Sequence, residues 1–352
     1  ALPILNAGNH RLCAMSEPNE MPADRKNLTE SRASCAAAAS GANLVRQMRH
    51  WARELGFSSL GVADIALADA EPGLLAWLQS GFHGEMDYMA RHGLKRARPA
   101  ELVPGTVTAV MVSLDYAPDD PDWLDHAQRC LTEPGQAYVS RYALGRDYHK
   151  VVRARLQRLA DKLADLVGPF GYRVFCDSAP VLEVELASRA GLGWRGKHTL
   201  LLDKGRGSMF FLGTLYTDLP LAPDAPEAEH CGSCVRCIQA CPTGAIVAPY
   251  RLDARLCISY LTIELDGPIP ERWRQAIGNR IYGCDDCQLA CPWNRFAQAA
   301  ALPDFAVRNK LDSASLVELF GWTGEQFKQR MAGSAISRIG YQRWLRNIAV
   351  AL

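Results

Sequence analysis

Eight of the twelve cysteines lie between Cys231 and Cys291, and their spacing is the strongest chemical signal in the chain. The first group reads Cys231-Gly-Ser-Cys234-Val-Arg-Cys237-Ile-Gln-Ala-Cys241-Pro242, the C-x2-C-x2-C-x3-C-P run that wraps a [4Fe–4S] cubane. Cys257 stands alone, and a second group follows as Cys284-Asp-Asp-Cys287-Gln-Leu-Ala-Cys291-Pro292. Where two such clusters share a module, the fourth cysteine of the run ligates the other cluster. This exchange assigns Cys231, Cys234, Cys237 and Cys291 to one cluster, and Cys241, Cys257, Cys284 and Cys287 to the other. Structural zinc is the competing use of four thiolates, but it normally takes two separated C-x2-4-C pairs. Disulfides would need an oxidising compartment, and no signal peptide is legible. Two cubanes in one module conduct single electrons, and the rest of the chain must say where those electrons go.

Three upstream stretches concentrate polar groups where an element begins or ends, which is where ligands bind on α/β sheets. In Ser140-Arg141-Tyr142-Ala-Leu-Gly145-Arg146-Asp147-Tyr148-His149-Lys150, a carboxylate, an imidazole, two phenols and three cations precede a helix. The competing role for Asp147 is to cap that helix. In Phe175-Cys176-Asp177-Ser178-Ala179-Pro180, a carboxylic acid follows an apolar strand, a position suited to a raised pKa and proton donation. Asp-Ser before Pro is also ordinary turn chemistry. In Gly191-Leu-Gly193-Trp194-Arg195-Gly196-Lys197-His198-Thr199, glycines allow close backbone approach to a bulky ligand and the last three residues offer polar contacts. This stretch is neither a Rossmann fingerprint nor a P-loop. A corrinoid is one candidate for such a ligand. Asp147-Tyr-His149 matches the start of an Asp-x-His-x-x-Gly corrinoid motif, but Val152 replaces its glycine, so His149 is not thereby a cobalt ligand.

The elements that must position these residues form an ordinary globular chain of 352 residues, 48% apolar and 22% charged. A formal net charge of +1 argues against a nucleic-acid coat or a polybasic membrane anchor. No apolar run is long enough to span a bilayer, so the expected location is the cytoplasm, with no membrane partner. Residues 1–41 are expected to be a mobile extension, with Met15 a possible late start. Helical spacing follows in 42–55, strands are expected at 58–63, 107–113, 137–142, 172–176 and 209–216, and a long helix covers 148–167. The fold class is therefore α/β (or α+β). Its expected domains are a catalytic domain over 42–221, a two-cluster ferredoxin-like domain over 222–300 and a helical C-terminal segment over 301–352. Two basic stretches, Arg91 to Arg98 and Arg338 to Arg346, read as solvated helix faces or, with Tyr341 and Trp344 interleaved, as an RNA contact.

Taken together, Ser140 to His149, Asp177 to Pro180, Gly193 to Thr199, Cys231 to Pro242 and Gly283 to Asn294 resemble the epoxyqueuosine reductase family, over about residues 42–352. The resemblance implies an oxidoreductase of tRNA queuosine biosynthesis that uses cobalamin and two [4Fe–4S] clusters. It would take two electrons and two protons to convert epoxyqueuosine in a tRNA anticodon stem-loop to queuosine and water, fed by an external electron donor. It implies that an acid protonates the leaving oxygen, with Asp177 the first candidate and Asp147 the second. It also implies that Ser140, Arg141, Tyr142, His149, Lys197, His198 and Thr199 lie around the corrinoid or the nucleotide, and that 301–352 opens a HEAT-like tRNA-binding region. Other readings are a cytoplasmic reductive dehalogenase-like enzyme, and an iron–sulfur protein that only transfers electrons or binds RNA.

Overall fold

The computed structural model describes residues 41–352, so all but the last residue of the expected 1–41 extension lies outside the described residues. The first helix, α1 (Gly41–Glu54), buries Leu44, Val45, Met48 and Ala52, the apolar stripe of its heptad-like spacing. It leads into strand β1 (Ser59–Ala63) and then the fully buried β2 (Thr108–Asp115). On β2, Val110, Val112 and Leu114 enter one core while Ala109 and Met111 enter another, so both faces of the strand are covered. This explains its nearly continuous apolar run.

Strand β3 (Tyr138–Val139) precedes the long helix α2 (Tyr148–Val167), and β4 (Tyr172–Phe175) precedes α3 (Glu183–Arg189). Two short strands, β5 (Trp194–Arg195) and β6 (Leu201–Leu202), form a hairpin ahead of β7 (Phe210–Thr217). The central sheet has the order β1-β2-β7-β4, and every neighbouring pair is antiparallel. Alternating helices and strands in the sequence thus give mixed helix and sheet without a parallel βαβ sheet. Helix α2 covers one face through Val152, Leu156 and Leu159, and α3 covers the other through Leu186 and Ala187.

The strand expected over 137–142 is shortened to β3, and it does not join the central sheet. It pairs in parallel with a strand of the cysteine region, β8 (Arg280–Tyr282). That region also holds a small antiparallel strand pair, Ile246–Ala248 with Arg251–Leu252, and short helices that include α4 (Arg236–Gln239), α5 (Ile258–Ile263) and α6 (Asp286–Leu289). The last helix is α7 (Gly340–Ala351). Leu316, Leu319, Trp322, Phe327, Ile336, Trp344 and Ile348 share one apolar core with Val112 and Leu156, so the C-terminal segment is packed into the body of the molecule.

The basic stretch of this segment has a different use from either expectation. Arg338 pairs with Glu264, Arg343 donates to Ile263 O at 3.1 Å, and Arg346 donates to Leu261 O, Leu265 O and Gly267 O at 2.9, 2.6 and 2.7 Å. Arg343 and Arg346 thereby satisfy carbonyls left open at the end of α5. Trp344 is fully buried and offers no stacking face. In the earlier stretch, Arg96 is buried on Met89 O and Tyr88 O, and Arg98 pairs with Glu71 and Glu101. Both stretches are structural at these positions.

Candidate active site

Asp177 follows β4 directly and sits in the left-handed region with φ 57°. Aspartate tolerates that conformation better than most residues, but the turn still costs about 1 kcal/mol and must be held from outside. Glu183, at the start of α3, accepts the Asp177 N–H at 3.1 and 3.2 Å. Asp177 is 8% exposed, and its Oδ2 accepts from the Tyr148 hydroxyl and lies 3.4 Å from His149 Nε2. Its Oδ1 is buried with no hydrogen-bond partner.

Asp147 completes the group from the opposite side of the imidazole. As the N-cap of α2 it accepts the His149 N–H at 3.2 Å, and its Oδ1 lies 2.7 Å from His149 Nδ1. The cap role and a site role are therefore compatible. His149 is clamped between two carboxylates, and its ring stacks on Tyr148 at 4.0 Å between centroids. Burial alone would depress the imidazole, but Asp147 and Asp177 together raise its pKa above 6.5.

Burial likewise pushes Asp177 up, but the hydrogen bond from His149 and its charge win and leave the carboxyl below 3.8. Strand-end position predicts the opposite direction for Asp177; the reason for the difference is His149, which sequence spacing could not bring to it. The raised carboxyl is Glu183, pushed up to about 8 by burial and then by the Asp177 charge. The two carboxylates favour the protonated form of the imidazole, the imidazole favours the ionised form of Asp177, and Glu183 behind them is held towards its neutral form.

The other candidate residues stand outside this group. Ser140 Oγ, Arg141 N at 2.7 Å and Tyr138 OH at 2.9 Å all donate to Asp285, which sits between Cys284 and Cys287. Gly283 has φ +72°, and a Cβ there would come within 2.6 Å of Ser140 Cβ, so the cysteine loop needs glycine to reach this junction. Tyr142 is buried edge-on against Tyr148, one ring away from Asp177. Lys197, His198 and Thr199 occupy the β5–β6 turn. Its entry requires Gly193, φ +144°, where a Cβ would meet Leu202 O at 1.9 Å.

That turn borders a pocket lined by Lys197, His198, Cys231, Cys234, Cys237 and Cys291. Lys197 is 8% exposed, and its Nζ donates to Gly232 O at 2.6 Å and Cys234 O at 3.0 Å, holding the cysteine loop. Burial, and then the nearby charges of Asp286 and of the thiols Cys241, Cys257, Cys284 and Cys287 on one another, raise Cys284 and Cys287, which puts these four thiols near each other as a second group. All ten cysteines among the described residues are free. Among these residues no three His, Cys, Asp or Glu side chains close on a point suited to a single ion. The thiols fit a polynuclear cluster. Burial and neighbouring thiols push Cys257 and Cys291 up to about 11, so four thiolates coexist in such a pocket only around a strongly cationic core.

Residues 230–294 match the model of the 4Fe-4S double cluster binding domain, and residues 96–178 match that of Epoxyqueuosine reductase QueG, DUF1730. The chain is 61% identical to the epoxyqueuosine reductase of Burkholderia pseudomallei, over 88% of this chain and 81% of that one. It is 54% identical to the enzyme of Escherichia coli, over 88% and 80%. The chain belongs to the epoxyqueuosine reductase family. It is an oxidoreductase with two [4Fe–4S] clusters, as its double-cluster domain requires. An epoxyqueuosine reductase solved with an epoxyqueuosine-modified tRNA stem loop superposes with a TM-score of 0.76 at 27% identity, covering 89% of this chain and 82% of that one. The Bacillus subtilis family member, solved with an aspartate-bearing catalytic loop swung out of its active site, superposes with 0.77 at 28% identity, over 89% and 82%. Sequence reasoning passed over Glu183 and Asp285 as functional neighbours. Asp285 stood inside the cysteine motif, while Glu183 carried no signal beyond lying six residues after Asp177.

Proposed function

We propose that this chain reduces epoxyqueuosine to queuosine in the anticodon stem-loop of a tRNA, in the cytoplasm, with electrons from an external donor. Asp177 is the acid that protonates the leaving epoxide oxygen. The observation that carries this role is its divided carboxylate: Oδ2 is engaged by Tyr148 and His149, and Oδ1 is buried and without a partner. The proton comes from the His149 imidazolium across the 3.4 Å contact, and Asp147 keeps that ring oriented by its 2.7 Å contact on Nδ1. This is the orienting logic of a carboxylate behind a catalytic histidine. Asp147 is thus a positioning residue and Asp177 the one that meets the substrate.

In this reading Cys231, Cys234, Cys237 and Cys291 hold one cluster, and Cys241, Cys257, Cys284 and Cys287 hold the other. The unpartnered Asp177 Oδ1 and the Asp177–Pro180 turn fit a bound group beside them, and cobalamin is the group proposed there, with His149 behind the acid. When bound, cobalamin supplies a reductant strong enough to open an epoxide. Asp177, Tyr148 and His149 hold the proton, and their burial keeps it from bulk water. The reaction balances as epoxide plus two electrons and two protons giving alkene and water. Ser140 and Arg141 also brace the junction to the cluster region, Lys197 and His198 line the first cluster pocket, and Tyr142 and Thr199 stay candidates for contacts to the bound group or the nucleotide.

The test is anaerobic turnover of an epoxyqueuosine-containing anticodon stem-loop by the cluster-loaded protein with added cobalamin and a low-potential reductant, read by nucleoside mass spectrometry. Formation of queuosine is expected. Absence of conversion with both clusters loaded and cobalamin bound overturns the reading. Loss of turnover in Asp147→Asn with full turnover in Asp177→Asn would transfer the acid role to Asp147.

A further inference from the structure

We propose that His198 is a hydrogen-bond donor to the cluster held by Cys231, Cys234, Cys237 and Cys291, and sets that cluster's reduction potential apart from the other's. The inference rests on the ligand assignment above. His198 is 1% exposed and lines the same pocket as these four cysteines. Its Nδ1 accepts the Leu200 N–H at 3.1 Å, which fixes the tautomer: Nδ1 carries the lone pair and Nε2 carries the proton. That Nε2–H is buried and has no hydrogen-bond partner among the described residues.

A buried N–H without a partner is rare, because its desolvation is then uncompensated. Besides Lys197, Leu202, Pro292 and Trp293, the four thiols share the pocket, and cluster sulfur is an acceptor for such a donor. The Asp177 site has no use for this ring, which stands on the β5–β6 turn. The hydrogen bond favours the more negative, reduced cluster and so raises its potential. The Lys197 ammonium, fixed on Gly232 O and Cys234 O, acts in the same direction through space.

His198 is a positioning and tuning residue, and two substitutions separate its two nitrogens. In His198→Asn the amide oxygen can replace Nδ1 as acceptor for Leu200, while the donor at the ε position is removed. In His198→Gln an amide N–H can reach the ε position. EPR-monitored redox titration of the anaerobically reconstituted protein should give two one-electron midpoints. In His198→Asn one midpoint should fall, so that at a fixed potential the reduced-to-oxidised ratio of that cluster drops roughly tenfold, a shift of about 59 mV for one electron. The other midpoint should stay in place, and His198→Gln should recover most of the shift. As a second readout, a deuterium-sensitive Fe–S stretch in the resonance Raman spectrum of the parent protein should be lost in His198→Asn.

Unchanged midpoints in His198→Asn at full iron loading overturn the inference, as does an equal fall of both. Failure of the ligand assignment is distinguishable. It would show as Cys234→Ser retaining both cluster signals at full iron content, and it would remove the basis for His198 as well.

Discussion

The proton chemistry of this molecule is concentrated on the side chains of Asp147, Tyr148, His149, Asp177 and Glu183. Replacing Asp177 by Asn keeps the volume and removes the carboxylate proposed to relay the proton from His149. Turnover should fall by roughly 10²- to 10⁴-fold, the usual contribution of a general acid, with iron content and cobalamin binding retained. A single-turnover assay beside an iron determination checks this. Glu183 makes a separate prediction about stability. Its carboxyl is pushed from 4.5 to about 8 on folding, so between those values the folded chain holds a proton that the unfolded chain releases. Stability contributed by this group is whole below about 4.5 and is lost as pH rises through about 8. Glu183→Gln keeps an acceptor for the Asp177 N–H and removes the ionisation. Its thermal midpoint should exceed the parent's by a few degrees, roughly, at pH 8, and the difference should vanish towards pH 4.5. Calorimetry at the two pH values decides it; equal midpoints at pH 8 would refute the assignment.

Among the elements, α7 and α5 carry the clearest lesson about charge. Arg346 donates to three main-chain carbonyls around the end of α5, and Arg338 adds an ion pair with Glu264. Hydrogen bonds from a charged donor contribute about 1.5–3 kcal/mol each, and they are not additive when one side chain makes all of them. Arg346→Met should cost about 2–4 kcal/mol of stability and leave stem-loop affinity within about twofold. Denaturant unfolding and a binding titration distinguish this from an RNA-contact role, for which affinity and its salt dependence would fall first. The β5–β6 turn is similarly constrained. Its glycine approach to Leu202 O places Lys197 and His198 beside the first cluster pocket.

For the molecule as a whole, the sheet domain and the cysteine region are joined by polar contacts that neither could satisfy alone. Asp285, 2% exposed, accepts from Tyr138, Ser140 and the Arg141 N–H across that junction. Asp285→Ala would orphan these donors at about 1–3 kcal/mol each. The variant should bind the second cluster weakly, seen as substoichiometric iron, while the far-ultraviolet circular dichroism of the sheet domain stays near that of the parent. Iron removal from the unaltered chain should act locally as well. Helices α4 and α6 have only four residues each and leave the thiol loops with little regular structure. Amide exchange at 231–241 and 284–291 should therefore rise after chelation, while β2 and β7 keep their protection. Uniform loss of protection would mean that the clusters hold the entire fold.

Local order made much of this legible in the sequence. Cysteine spacing is a covalent constraint on which thiols can reach one cluster, and the apolar periods of α1, α2, β2 and β7 follow from which faces must be buried. Helix α2 begins and ends where its cap and the following glycine say it should. What the spacing could not contain was the meeting of distant side chains. His149 reaches Asp177 across 28 residues and reverses the direction of its pKa, and Asp285 reaches Ser140 across 145. The basic C-terminal helix reads the same whether its arginines face water, RNA or carbonyls, because charge alone does not name a partner. The cysteines determined by themselves that the chain handles electrons; only the tertiary structure decided that His149 lies between Asp147 and Asp177 and that His198 lines a pocket of four thiols, because contacts between distant residues exist only once the chain is packed.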